Sequence, residues 1–400
     1  MYSLLAHLVL TLLAGIRRRT GYGFRRANLW AAYQLSNWIA PFTLSGLYIG
    51  NTDSPRHQLV TFWGMFLLHH LGGPDNISAF SLEDHALTRR EAIGALGEVI
   101  AAGYALYKYV HDPLLVAAST IIFILGAYKC FEAVLALWRS NLDNICSSSN
   151  KQASNSSKKK KQASRFFTAC AGSGSGSVSG SLIQRGVDND LHDEEALMIA
   201  HDMLLFCKRA MADSSVHTGS TDLDTSRKIF TLKCENMCKV VEMELSLMYD
   251  ILYTKAAVVH TWLGYIIRLA SPPAIAAAML LFGFYCLERQ TTSDADLMIT
   301  LVLLIATFLL EIRWLLRALG STWAHAFLQS SWLHQAALCT GIWRRIRHIL
   351  VSHDVARLQF MAPSSHRRWS GTVPQYSLLR KCTHKSQEQC MRRRIPALRT

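Results

Sequence analysis

At 400 residues, half of them apolar, and with a mean hydropathy of +0.15, the chain lies above the soluble-protein range, and its apolar residues are gathered into runs. That excludes an ordinary water-soluble globule and points to a membrane-embedded class. The formal net charge of +14 does not signal nucleic acid: residues 344–400 hold thirteen Lys/Arg against Asp354 and Glu388 alone, a basic tail suited to anionic lipid headgroups.

The first apolar run, residues 4–16, is followed rather than preceded by its cations Arg17, Arg18 and Arg19, and lacks a small-x-small cleavage signal. It reads as a retained anchor, not a signal peptide. Residues 28–49, 92–110 and 114–137 are each long enough to cross about 30 Å of hydrocarbon at about 1.5 Å per residue. Trp30, Trp38, Tyr107, Tyr109 and Trp138 lie near their ends, where amphipathic rings favour the headgroup level. Residues 59–71 are short enough to re-enter rather than cross. A crossing puts the basic loops at 17–26, 89–90, 139–255 and beyond 313 on one face, and the positive-inside rule favours it.

Next comes "SSSNKQASNSSKKKKQAS", then "AGSGSGSVSGS", with almost no aliphatic side chains to bury. Residues 139–187 are expected to be a disordered linker, and their glycines match no phosphate-binding loop. "EALMIAHDMLLFCKRAM" and "KVVEMELSLMYDILYTKAA" predict cytosolic helices within 188–255. Residues 271–287 and 297–316 form a hairpin around "ERQTTSDAD", a polar, acidic loop suited to the outer side. The stretch 258–269 carries His260 and Arg268 and ends at Pro272 and Pro273, so it is interfacial or the first half of a kinked span. The expected architecture is all-α and polytopic, with about seven spans and the N-terminus outside. It has membrane portions at 1–138 and 256–319, the linker and cytosolic helices between them, and a basic cytosolic tail at 320–400.

In "LLHHLGGPDNISAFSLED", residues 67–84, Gly72, Gly73 and Pro74 break a helix, and Asp75 and Asn76 are turn formers. Ser81-x-x-Asp84 and Thr88-x-x-Glu91 resemble capping boxes. The reading is a tightly specified turn at a membrane exit, in which Asp75→Asn is mild. The alternative is a discontinuous helix whose unwound backbone and Asp75 coordinate an ion or polar substrate.

Glu98, within "AIGALGEVIAAGYALYKYV", is expensive in hydrocarbon without a partner. Lys129 lies at the same expected depth. Gly94, Gly97, Gly103 and Gly126 would let the two helices approach, and Glu132 would complete a buried charge cluster of Glu98, Lys129 and Glu132. That cluster either fixes helix registry or relays protons or ions. Glu311 and Arg313 read as snorkelling anchors, and His69 and His70 as interfacial histidines. The ten cysteines show no CxxC, and neither HExxH nor GxSxG occurs, so no metal, cofactor or catalytic group is expected.

"NLWAAYQLSNWIAPFTLSGLY", "LLHHLGGPDNISAFSLEDHAL", "YKCFEAVLALW" and "VVEMELSLMYDILYTKAAVVHTWLGYIIRL" resemble a plant membrane-protein family, domain of unknown function 4220, over roughly residues 25–320. The resemblance implies membership, not an activity. That family is usually followed by a second domain of unknown function, 594, whose approach "RRWSGTVPQYSLLRKC" resembles and which is largely missing here. The expected function is that of a non-enzymatic scaffold in the plasma membrane or an endomembrane, partnered by the bilayer and by proteins. The rival is a transporter or channel built on Glu98, Lys129 and Glu132, discriminated by whether a water-accessible cavity reaches Glu98.

Overall fold

Helices make up the regular structure of the described residues: α1 (Tyr2–Leu13), α2 (Gly23–Leu47), α3 (Pro55–Leu71), α4 (Thr88–Tyr109), α5 (Pro113–Ser140), α6 (Asp193–Met211), α7 (Cys234–Tyr253), the single turn α8 (Ala256–Val259), α9 (Trp262–Arg289) and α10 (Asp294–Leu319). A 3₁₀ turn, Leu82–His85, precedes α4. The computed structural model describes residues 2–14, 23–47, 55–145, 147–148, 193–211, 230–289, 293–319, 321 and 323–324. All belong to a unit spanning Met1–Arg368. The expected linker beyond Ser148 and the expected basic tail beyond Ala324 lie outside the described residues.

Local signals fix the helix starts. Asp112 Oδ1 accepts the Leu114 amide at 3.2 Å, and Pro113 takes the first helical position, where its missing N–H leaves no bond unmade. Asp84 reaches back to the Ser81 amide at 3.0 Å, as the Ser81-x-x-Asp84 spacing predicts. The Thr88-x-x-Glu91 box does not form: Thr88 is already helical, and its hydroxyl donates to His85 O at 2.7 Å.

Among the described residues three helices are long and apolar enough to cross a membrane, α5, α9 and α10, rather than the seven expected. α1 has 12 residues, about 18 Å of rise, and α3 has 17. α2 is diluted by Arg25, Arg26, Asn28, Gln34 and Asn37, and α4 by Arg89, Arg90, Glu91, Glu98 and Lys108. α9 merges two expected segments, since it runs unbroken through Pro272 and Pro273.

The main core joins α3, α5, α9 and α10 through residues such as Phe62, Phe66, Ile122, Ala278 and Leu304. Phe62 of α3 stacks on Phe282 of α9 with centroids 5.8 Å apart, and Trp63 Nε1 donates to Thr300 Oγ1 of α10 at 2.8 Å. The middle of α3 therefore sits with the end of α9 and the start of α10. A second core, around Ile199, Met203, Val240, Met243 and Leu247, packs α6 against α7.

Candidate functional site

Gly72 stands where no side chain fits, because a Cβ there would lie 2.5 Å from Lys129 Cβ. Gly73 follows at φ +68°, the left-handed conformation that glycine adopts without penalty. The turn directs two carbonyls at one cation: Lys255 Nζ donates to Gly72 O at 2.6 Å and to Gly73 O at 2.8 Å. The backbones also join, with the Lys255 amide donating to Asp75 O at 3.1 Å and the Ser78 amide to Tyr253 O at 2.9 Å. On the other side Asn76 Nδ2 donates to Thr11 O of α1 at 2.8 Å. "LGGPDNIS" is thus clamped between α1 and the "LYTKAA" corner that follows α7.

Beneath this clamp lies a buried ion cluster. Arg268 of α9, 1 % exposed, donates from Nε and Nη2 to Asp75 Oδ2 at 2.9 and 2.7 Å, and its Nη2 lies 2.7 Å from Glu132 Oε1 of α5. Lys129 Nζ lies 2.9 Å from Glu311 Oε1 of α10 and 4.0 Å from Asp75 Oδ1. His69 Nε2 approaches the same Glu311 oxygen at 3.3 Å. Gly126 permits this meeting, since a Cβ there would press within 2.9 Å of the His69 amide nitrogen. Lys129, Lys255 and Arg268 balance Asp75, Glu132 and Glu311.

Isolated charges at such burial cost several kcal/mol each, so mutual pairing is what lets them persist. Burial alone would raise the Asp75 carboxyl, but Arg268, then Lys129 and Lys255, outweigh it and hold it at about 2. Burial also pulls the Lys255 ammonium below the usual lysine range. All three carboxylates are engaged by cations. Among the described residues no group of His, Cys, Asp and Glu has the arrangement to hold a metal ion.

The structure brings Lys129 and Glu132 together, with Gly72 and Asp75 beside them and Asn76 turned to α1, but it does not bring in Glu98. Among the described residues Lys129 pairs with Glu311 and Asp75 instead. Glu98 is half-buried on α4, on the wall of a cavity of about 600 Å³ between α2, α4 and α5. Gly94 and Gly97 do not mediate close helix approach, since a Cβ on either meets nothing within 4 Å.

Sequence reasoning missed four participants: Lys255, Arg268, Glu311 and His69. Glu311, at 1 % exposure, does not reach out of the protein as a snorkelling anchor would, and His69 and His70 are buried against other helices. His70 Nδ1 instead shares a hydrogen bond of 3.2 Å with Ser3 Oγ. The available signal was cost: Arg268 and Glu311 each interrupt an apolar run, and opposite charges in different apolar helices are candidate partners.

The model of the family described as Domain of unknown function (DUF4220) matches residues 30–382. The chain belongs to this family. No curated protein and no solved structure matches it. In this DUF4220 chain the two most specific motifs, "LGGPDNI" and "ELSLMYDILYTKAAVVH", are the segments that meet at the clamp, through the bonds from Lys255 to Gly72, Gly73 and Asp75.

Proposed function

We propose that this DUF4220 protein is a multi-pass integral membrane protein that acts as a non-enzymatic scaffold. Its ion cluster locks the spanning helices to a cytosolic pair, α6 and α7. The observation that carries the reading is the mutual pairing of Asp75, Glu132, Glu311, Lys129 and Arg268, with Lys255 spent on carbonyls. Such a charge-balanced, buried knot suits registry rather than ion movement. Lys129, Arg268 and Glu311 bring the end of α5, the start of α9 and the end of α10 to one side. Arg139, Arg313 and Arg317 belong to these same helix ends, which supports a cytosolic assignment. Val241 and Leu245 are exposed one turn apart on α7 and offer an apolar contact for a partner protein, while the tail offers charge to anionic lipids.

Proximity labelling from a tag beside α6 tests the scaffold reading. A defined set of neighbours should be lost on Val241→Asp with Leu245→Asp, while abundance is kept. A membrane-impermeant thiol reagent should reach Cys234 and Cys238, both exposed, only after permeabilisation. Labelling in intact cells would reverse the orientation.

One observation favours a transporter or channel: the cavity does reach Glu98. Purified protein in liposomes separates the readings, because solute-dependent flux abolished by Glu98→Gln belongs to transport and its absence to the scaffold.

A further inference from the structure

The cavity beside Glu98 has two chemically distinct walls. On α2, Trp30, Tyr33 and Trp38 line it, at spacings of three and eight residues that share one helical face. On α4 the opposing wall carries Glu91, Gly94 and Glu98. Gly94 sits between the two carboxylates in sequence, and a Cβ on it would meet nothing within 4 Å, so the glycine serves open space rather than packing.

The charges at this cavity are unequal in availability. Glu91 and Glu98 make no ion pair among the described residues. Of the two cations on the wall, Lys255 already donates to Gly72 O and Gly73 O, and Arg90 is exposed and makes no ion pair with either glutamate. Asp84, the third carboxylate, accepts the Phe80 and Ser81 amides, so acidic groups outnumber basic ones here. The cavity therefore presents unneutralised carboxylates across from aromatic faces, both of which attract a cation.

The spacing decides which kind. Glu91 and Glu98 are seven residues apart on one helix, about 10 Å of rise, too far to chelate a metal ion whose oxygen ligands lie at about 2.0–2.6 Å. Indole faces reward a cation with a weakly hydrated, apolar exterior. A volume of about 600 Å³ also lies within the size of small-molecule sites, about 300–1,000 Å³.

We propose that the α2–α4–α5 cavity binds a monovalent organic cation with apolar substituents, an alkylated amine or quaternary ammonium, held between Glu91 and Glu98 on one side and Trp30 and Trp38 on the other. This site goes beyond the scaffold reading and does not depend on it.

Equilibrium dialysis of radiolabelled benzyltrimethylammonium against the full chain in lipid nanodiscs tests the site, with empty nanodiscs as baseline. Saturable binding is expected. Neopentylbenzene, the neutral carbon isostere, and benzenesulfonate should compete at least tenfold less well. Gly94→Leu should abolish binding by filling the space, and Glu98→Gln and Glu91→Gln should each weaken it at least fivefold, all at an unchanged thermal midpoint. If Glu98→Gln fails to fold, the exposed Glu91 and the unobstructed Gly94 still decide the matter. Uptake no greater than in empty nanodiscs, equal competition by the isostere, stronger competition by the sulfonate, or full binding in Gly94→Leu overturns the proposal.

Discussion

Arg268 Nη2 and Nε both reach Asp75 Oδ2, at 2.7 and 2.9 Å, although the residues stand 193 positions apart. This contact makes Asp75 more than a turn former. Asp75→Asn, mild for a simple turn, should instead cost about 3–5 kcal/mol by stranding a buried guanidinium, as should Arg268→Met by stranding the carboxylate. The double variant should recover part of the loss. Thermal unfolding of the purified protein, read by size-exclusion chromatography, gives the cycle, and simple additivity would disprove the coupling.

Lys129 supplies a comparison of two possible partners. Lys129→Met with Glu311→Gln should be strongly non-additive, because the atoms lie 2.9 Å apart. Lys129→Met with Glu98→Gln should add within about 0.5 kcal/mol, since no ion pair joins the two among the described residues. Coupling between Lys129 and Glu98 in the same assay would contradict the pairing described above.

The two glycines of the turn should fail for different reasons. Gly72→Ala collides with Lys129 Cβ and should lose about 1–3 kcal/mol or more. Gly73 has open space but a positive φ, so Gly73→Asn should be nearly tolerated and Gly73→Val should not. Folded yield in membranes should rank Gly73→Asn above both others. Equal losses for Asn and Val at position 73 would remove backbone conformation as the cause.

His260 offers a pH test. Burial, then the neighbouring Arg268, lowers its imidazole to about 3 from an ordinary 6.5, and its Nδ1 shares a hydrogen bond of 2.7 Å with Tyr265 Oη. Between those values the unfolded chain binds a proton that the folded chain does not. Stability should therefore be full above pH 6.5 and fall as pH drops toward 3, by about 1.4 kcal/mol per unit for this one group. His260→Gln should flatten that slope in chemical denaturation between pH 6 and 4. An unchanged slope would assign the acid sensitivity to other groups.

Helical class and the long apolar helices were legible because hydropathy is a local property: "PLLVAASTIIFILGAYKC" announces α5 whatever surrounds it. The turn at Gly73 and the start at Asp112-Pro113 were legible for the same reason, since backbone conformation there is set by adjacent residues. The number of long apolar helices was not, because scattered polar residues in α2 and α4 look tolerable in sequence and dilute each helix as a whole. Charge partners were the least legible. Glu98 and Lys129 matched in expected depth, but depth leaves open which faces of which helices meet. Gly126 brings α3 against α5, and α9 and α10 then deliver Arg268 and Glu311 to Asp75, Glu132 and Lys129. Sequence determined which groups were too costly to bury alone. Only the packing of distant helices, a collective property of side-chain volume and crossing geometry, decided which charges would neutralise one another.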